Sequence, residues 1–152
     1  TDREFLVCRP GGPIPHLTPV RLADVTPLRL VLPAKGNVRR DRLDDFIASN
    51  GLTVGKIIDM DAMFATLELV ATSDYATVLP ATICRKDIDG RDRWLHPLTG
   101  PELTVSYVVV EPARKAMSAA AAAFLRYLEE EYRRADAEWT ALIGPSEGNR
   151  KI

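Results

Sequence analysis

A chain of 152 residues can bury one substantial core, and 46% hydrophobic with 27% charged residues is the balance of an ordinary globular domain. With 20 basic against 21 acidic side chains the net charge is −1, which leaves no global positive field to hold nucleic acid. Cys8 and Cys84 fit neither a zinc spacing nor a disulfide framework and read as free thiols; no signal peptide or membrane span is recognisable, so a soluble cytoplasmic protein is expected, with no metal and no cofactor.

In chain order, Phe5-Leu6-Val7 predicts a short strand ending at Cys8-Arg9-Pro10. The ten residues from Pro10 hold four prolines and two glycines, which excludes regular structure there. Val20 to Val25 suits one helical turn, with Thr18 as a candidate cap. Leu28 to Leu32 is an apolar run of the buried-strand kind, stopped by Pro33 because proline cannot donate to a ladder. The turn Pro33-Ala34-Lys35-Gly36-Asn37 follows, and Asn37 is a good N-cap for a helix from Val38 whose inner face carries Leu43, Phe46 and Ile47 and which ends at Asn50-Gly51. Val54 to Ile58 predicts the next strand. Asp59 or Asp61 is then the expected cap of an amphipathic helix bearing Met63, Phe64, Leu67, Val70 and Ala71.

Tyr75 to Leu79 reads as a further strand and Pro80 as the start of a helical turn over Ala81 to Arg85. In Asp87-Ile88-Asp89-Gly90 the glycine comes too early for a calcium loop and no closing glutamate follows, so a hairpin turn is expected. Trp94 to Leu98 and Leu103 to Glu111 are predicted strands. The second, with Val105, Tyr107, Val108, Val109 and Val110, has the pattern of a central strand buried on both faces. A long helix is expected from Met117, with Ala121, Phe124, Leu125, Leu128 and Tyr132 in its stripe and outer pairs Glu129 with Arg133 and Glu130 with Arg134. Gly144 to Asn149 reads as a frayed tail.

Catalytic patterns are missing. His16 and His96 have no nucleophile or metal partner at a diagnostic spacing and read as surface residues, and no nucleophile elbow, Walker loop or glycine-rich nucleotide fingerprint is present. Asp44-Asp45 and Glu129 to Glu131 read as solvated helix charge. Asp59 and Asp61 sit at a strand-to-helix junction, either as caps or facing a ligand. In open α/β sheets ligands collect where strand ends meet helix N-termini, and three segments qualify: Cys8 to Pro10, Pro33 to Arg39, and Asp59 to Ala62. Arg9, Lys35, Asn37 and Arg39 are their potential donors, suited to a carboxylate or similar small anion. The alternatives are an empty junction and, for Arg39 and Arg40, a solvated helix start.

The series of segments resembles the effector-binding domain of LysR-type transcriptional regulators. It comprises Phe5 to Ile14 for a strand and His-Pro-Leu-like turn, Val20-Arg21-Leu22-Ala23-Asp24-Val25, Leu30 to Arg40, and Ser49-Asn50-Gly51-Leu52. It continues with Leu69 to Ala81, against Leu-Val-Ala-x-Gly-Leu-Gly-Val-Ala-Leu-Leu-Pro-Ala, and Met117 to Leu125. No single motif is specific; their order is. Gly-Leu-Gly is replaced by Ser73-Asp74-Tyr75-Ala76, which makes that loop bulkier.

The resemblance implies an α/β, periplasmic-binding-protein-like (type II) fold of two lobes around an effector cleft. On it, residues 1–134 form a partial domain: 27–100 the second lobe, 1–26 and 101–134 first-lobe and hinge elements, and 135–152 a C-terminal tail. It implies effector contacts from Arg9, Pro33, Ala34, Lys35, Gly36, Asn37, Met60 and Asp61. It also implies a small, anionic effector, and DNA binding only through a winged helix-turn-helix outside these residues. A type II solute-binding protein of the same fold is the alternative, and a small enzyme is disfavoured for want of an acid-base or nucleophile constellation. Without first-lobe cover for the strand from Leu103 and the helix from Met117, self-association is expected.

Overall fold

A computed structural model describes residues 1–111, 113–114 and 116–145. Its organising element is β1 (Asp2–Cys8), buried along Asp2 to Val7. β1 lies antiparallel between β4 (Thr77–Pro80), with Phe5 opposite Leu79, and β5 (Trp94–Pro97), with Phe5 opposite Pro97. The short β6 (Thr104–Val105) pairs with the start of β1. β2 (Leu28–Leu32) and β3 (Val54–Asp59) form a parallel pair. β2 joins β4 through Val31 N–H to Ala76 O and Ala76 N–H to Arg29 O, both 2.8 Å. The strands thus follow one another as β3-β2-β4-β1-β5, the mixed sheet of an α/β fold.

Strand periodicity divides the core into two halves. Phe5 and Val7 of β1, Val31, Leu79 and Leu95 point to one face and pack with Val70, Cys84 and Trp139. Leu6, Leu30, Leu32, Ala76 and Val78 point to the other and pack with Leu22 and Leu43. Helices α3 (Met63–Thr72), α4 (Ala81–Cys84) and the C-terminal part of α5 (Ala119–Ile143) therefore cover the first face, and α1 (Leu22–Val25) and α2 (Val38–Ser49) the second. A 3-10 turn, Arg85–Asp87, follows α4.

Several local expectations hold. Asn37 caps α2 by accepting from Arg39 N–H at 2.9 Å. α5, expected from Met117, starts at Ala119, where Ser118 as the cap accepts from Ala121 N–H at 3.2 Å. α1 begins without a side-chain cap, so Thr18 does not serve; its carbonyl instead bonds His96 Nδ1. The Asp-Gly turn forms, with Gly90 N–H on Asp87 O at φ +67°, but it links the 3-10 turn to β5 rather than two strands.

Other expectations are corrected. Val108 and Val110 are 80% and 86% exposed, so 103–111 is not a central strand. β-branched residues specify a strand only where neighbours complete the sheet, and among the described residues the ladder to β1 ends at Val105. The polar start of β1, Asp2-Arg3-Glu4, concealed that β1 is a buried interior strand. In α3 the buried side chains are Thr66 and Val70, while Phe64, about 200° round the helix from Thr66 by the 3.6-residue turn, is exposed. α3 starts from Ala62 with no side-chain cap, so neither Asp59 nor Asp61 caps it.

α5 shows a similar split. Phe124 and Leu128 of its expected inner stripe are exposed, as is Tyr127 beside them, whereas Ala135 and Trp139 are buried. Trp139 packs on Phe5 with ring centroids 4.8 Å apart, so residues 135–143 belong to the core and not to a tail; beyond Pro145 the tail lies outside the described residues. Arg134 pairs with Glu131 rather than Glu130, and Arg133 bonds the Glu129 backbone carbonyl. His96 is buried rather than at the surface. His16 is half-buried, accepting Leu95 N–H at Nδ1 and so donating from Nε2 to Ile88 O. Burial raises the pKa of both cysteine thiols, which are free. No helix among the described residues is long and apolar enough to cross a membrane, and no metal-binding cluster occurs among them.

Candidate functional site

The junction after β2 is built by local bonds. Pro33 ends the strand, and Gly36 at φ +90° takes the left-handed conformation that the turn needs. Asn37 N–H returns to Ala34 O at 3.2 Å. Ala34 N–H is held by the Asp61 carboxylate at 3.1 Å, and Met60 N–H by Leu32 O at 2.9 Å, so the loops after β2 and β3 lock together. Beneath them the buried Arg40 gathers Asp44 (2.9 Å), Asp59 (2.6 Å) and the Pro33 carbonyl (2.9 Å). The Asp59 hydrogen bond, with help from Asp44, raises the Arg40 pKa and keeps its charge in place. Arg40 and Asp59 are therefore structural.

Arg39 turns the other way. Its guanidinium forks onto Glu4 of β1 at 2.8 and 2.6 Å and also donates to Val78 O at 2.8 Å. The Glu4 side chain is 4% exposed and that of Arg39 26%. One turn on, Arg42 donates to Thr104 O at 2.9 Å. Beside these arginines opens a cavity of about 460 Å³, within the usual size of a small-molecule site. Val38, Leu43, Met63, Ile83, Leu103 and Tyr107 make its apolar walls, and Glu4, Asn37, Arg39, Arg42 and Ser106 lie along its polar side.

The expected contacts divide. Asn37 lines the cavity. Lys35 and Gly36 are exposed on the turn beside it, with Pro33 and Ala34 half-buried behind. Asp61 spends its carboxylate on Ala34 N–H, and the half-buried Met60 packs against the core. Arg9 is not brought to this place. β1 runs antiparallel to β4, so Arg9 emerges at the opposite end of the sheet from Glu4, roughly 16 Å away at 3.3 Å per residue. There it pairs with Asp74 at 2.8 Å.

Glu4, Met63, Ile83, Leu103 and Tyr107 were not legible as site residues, because only the tertiary fold carries them to α2. Glu4 alone left a trace, as an acid beside the apolar run Phe5-Leu6-Val7.

Residues 1–133 match the model of the LysR substrate binding domain. The chain belongs to this family. Among curated protein sequences nothing matches. Solved structures share the fold at low identity. The BenM effector binding domain with its effector benzoate is 20% identical, with TM-score 0.54 over 66% of this chain and 46% of that one. The CcmR regulatory domain of Synechocystis PCC6803 in complex with 2-PG is 13% identical, with TM-score 0.64 over 86% and 62%. Corynebacterium glutamicum OxyR is 14% identical, with TM-score 0.63 over 93% and 44%. The chain thus spans 44 to 62% of the length of these neighbours. At these identities the likeness establishes a periplasmic-binding-protein-like α/β fold.

Proposed function

We propose that this chain is the ligand-sensing part of a LysR-type regulator, which takes a small anionic effector at the start of α2 to control transcription by the intact protein. The observation that carries the reading is the cavity beside Arg39, Arg42 and Asn37 in a chain of this family. The turn Pro33 to Asn37 is its rim, Asn37 and the two arginines its polar contacts, and Asp61 the residue that fixes the rim. That a neighbour of the same fold carries benzoate as effector supports a carboxylate as the first class to test. The family favours a regulator over a solute-binding protein or an enzyme, and a cytoplasmic location belongs to the same proposal. DNA contact falls to residues outside this chain. Because β1 lies between β4 and β5, residues 2–100 act as one lobe, with β6 and α5 leading to the other.

Titration with small organic acids while following thermal unfolding tests the proposal. At a hundred times Kd a ligand that binds only the folded state adds about 2.7 kcal/mol, a rise of roughly 5–10 °C for a domain of this size. No shift with any acid overturns it. The exposed Val108, Val110, Phe124 and Leu128 also support self-association of this chain; a monodisperse monomer by light scattering at high concentration speaks against that part.

A further inference from the structure

We infer that the cavity at the start of α2 selects an amphipathic monocarboxylate, one carboxylate on an uncharged apolar body, and that Glu4 sets this selectivity; the inference rests on the effector reading above. Among the lining residues the charges are Arg39, Arg42 and Glu4, a sum of +1. Neither guanidinium is idle, since Arg39 already serves both Glu4 oxygens and the Val78 carbonyl and Arg42 serves Thr104. A single carboxylate matches the remaining N–H groups and the one uncompensated charge. A dianion or phosphate brings a second charge with no further cation on the described lining to meet it, against walls of Val38, Leu43, Met63, Ile83 and Leu103. An amino acid fares no better. Its ammonium needs a free carboxylate, and the only one on the lining among the described residues, Glu4, is 4% exposed with both oxygens held by Arg39. What the walls do offer is apolar surface, so affinity should grow with the ligand's hydrocarbon length.

The test is calorimetric titration of the full chain with butyrate, hexanoate, octanoate, succinate, norleucine and inorganic phosphate. Binding is expected to tighten about fourfold per methylene along the alkanoates, as apolar burial predicts. Hexanoate should exceed succinate, norleucine and phosphate by at least about tenfold, the cost of an unmatched charge in a partly desolvated site. Equal binding along the alkanoates, or tighter binding of succinate, norleucine or phosphate, overturns the inference and leaves an anion site standing; no heat with any probe overturns the effector reading as well. In Glu4→Gln the lining charge becomes +2, and the preference for hexanoate over succinate should fall on the order of tenfold; an unchanged preference in a folded variant removes Glu4 from the argument. Ile83→Trp is the second variant, since Ile83 is partly exposed on the cavity wall. It should weaken octanoate more than butyrate, and equal weakening overturns the assignment of the apolar tail to this cavity.

Discussion

Removing Arg39 should cost more than removing Glu4, although the two share one ion pair. Arg39→Ala leaves a carboxylate whose side chain is 4% exposed, and breaking a buried pair in this way costs about 3–5 kcal/mol. Glu4→Ala leaves a guanidinium that is 26% exposed and keeps the Val78 carbonyl, so solvent recovers part of its charge and the cost is about 1–3 kcal/mol. The difference, on the order of 2 kcal/mol, is a shift of roughly 4–8 °C in Tm for a domain of this size. Urea unfolding of both variants, followed by circular dichroism, reads it directly, and the double variant gives the coupling. Since a domain of this kind has about 5–15 kcal/mol in all, Arg39→Ala should remain folded but visibly weakened. Equal losses in the two single variants, or a coupling below about 0.5 kcal/mol, would refute the claim that Glu4 is desolvated and Arg39 is not.

Trp139→Ala should cost about 3–5 kcal/mol by chemical denaturation, because the ring is 2% exposed against Phe5; a loss below about 1 kcal/mol would return residues 135–143 to a tail. Arg9→Ala should change stability by at most about 1 kcal/mol, since both side chains of its ion pair are more than half exposed, and should leave hexanoate binding by calorimetry unaltered. Burial lowers the pKa of His96 below its ordinary 6.5, so above that pH both folded and unfolded states are neutral, and below it the unfolded chain takes up a proton that the folded chain refuses. Stability should therefore fall as pH drops below about 6.5, by up to about 1.4 kcal/mol per pH unit, and urea titrations of His96→Gln should lack that part of the slope.

What could be read in the sequence was whatever depends on neighbours along the chain. Pro33 stopping β2 and Asn37 capping α2 are decided within a few residues, and each took its expected place. Burial was legible only where the covering elements are near in sequence or belong to the same sheet. The valines from Val108 carry strong strand propensity, but propensity describes a fit to neighbours, and the described ladder stops before them. Asp61 lies at the expected strand-to-helix junction but holds Ala34 N–H across the two loops instead of capping α3. Arg9 is kept from the cavity by topology, since a strand antiparallel to β4 delivers its C-terminal end away from the end of β2.

The site and the strands that leave this lobe are mechanically one unit. β1 and β6 run side by side, with Arg3 opposite Thr104 and Glu4 N–H bonded to Leu103 O at 2.9 Å. The two arginines on the cavity side of α2 each take hold of one of these strands, Arg39 through the Glu4 carboxylate and Arg42 through the Thr104 carbonyl. Nearby, Thr82 fixes Asp2 by its backbone N–H and its hydroxyl, and Arg3 reaches Gly144 O at the end of α5. On the proposed reading, an anion that draws either guanidinium toward itself pulls on a bond to β1 or β6, the Arg39–Glu4 pair being partly buried and the Arg42–Thr104 bond exposed, so no loop intervenes between ligand and strands. If an effector binds at α2 as proposed, residues 2–4 and 103–105 are where it gains leverage on whatever adjoins this lobe.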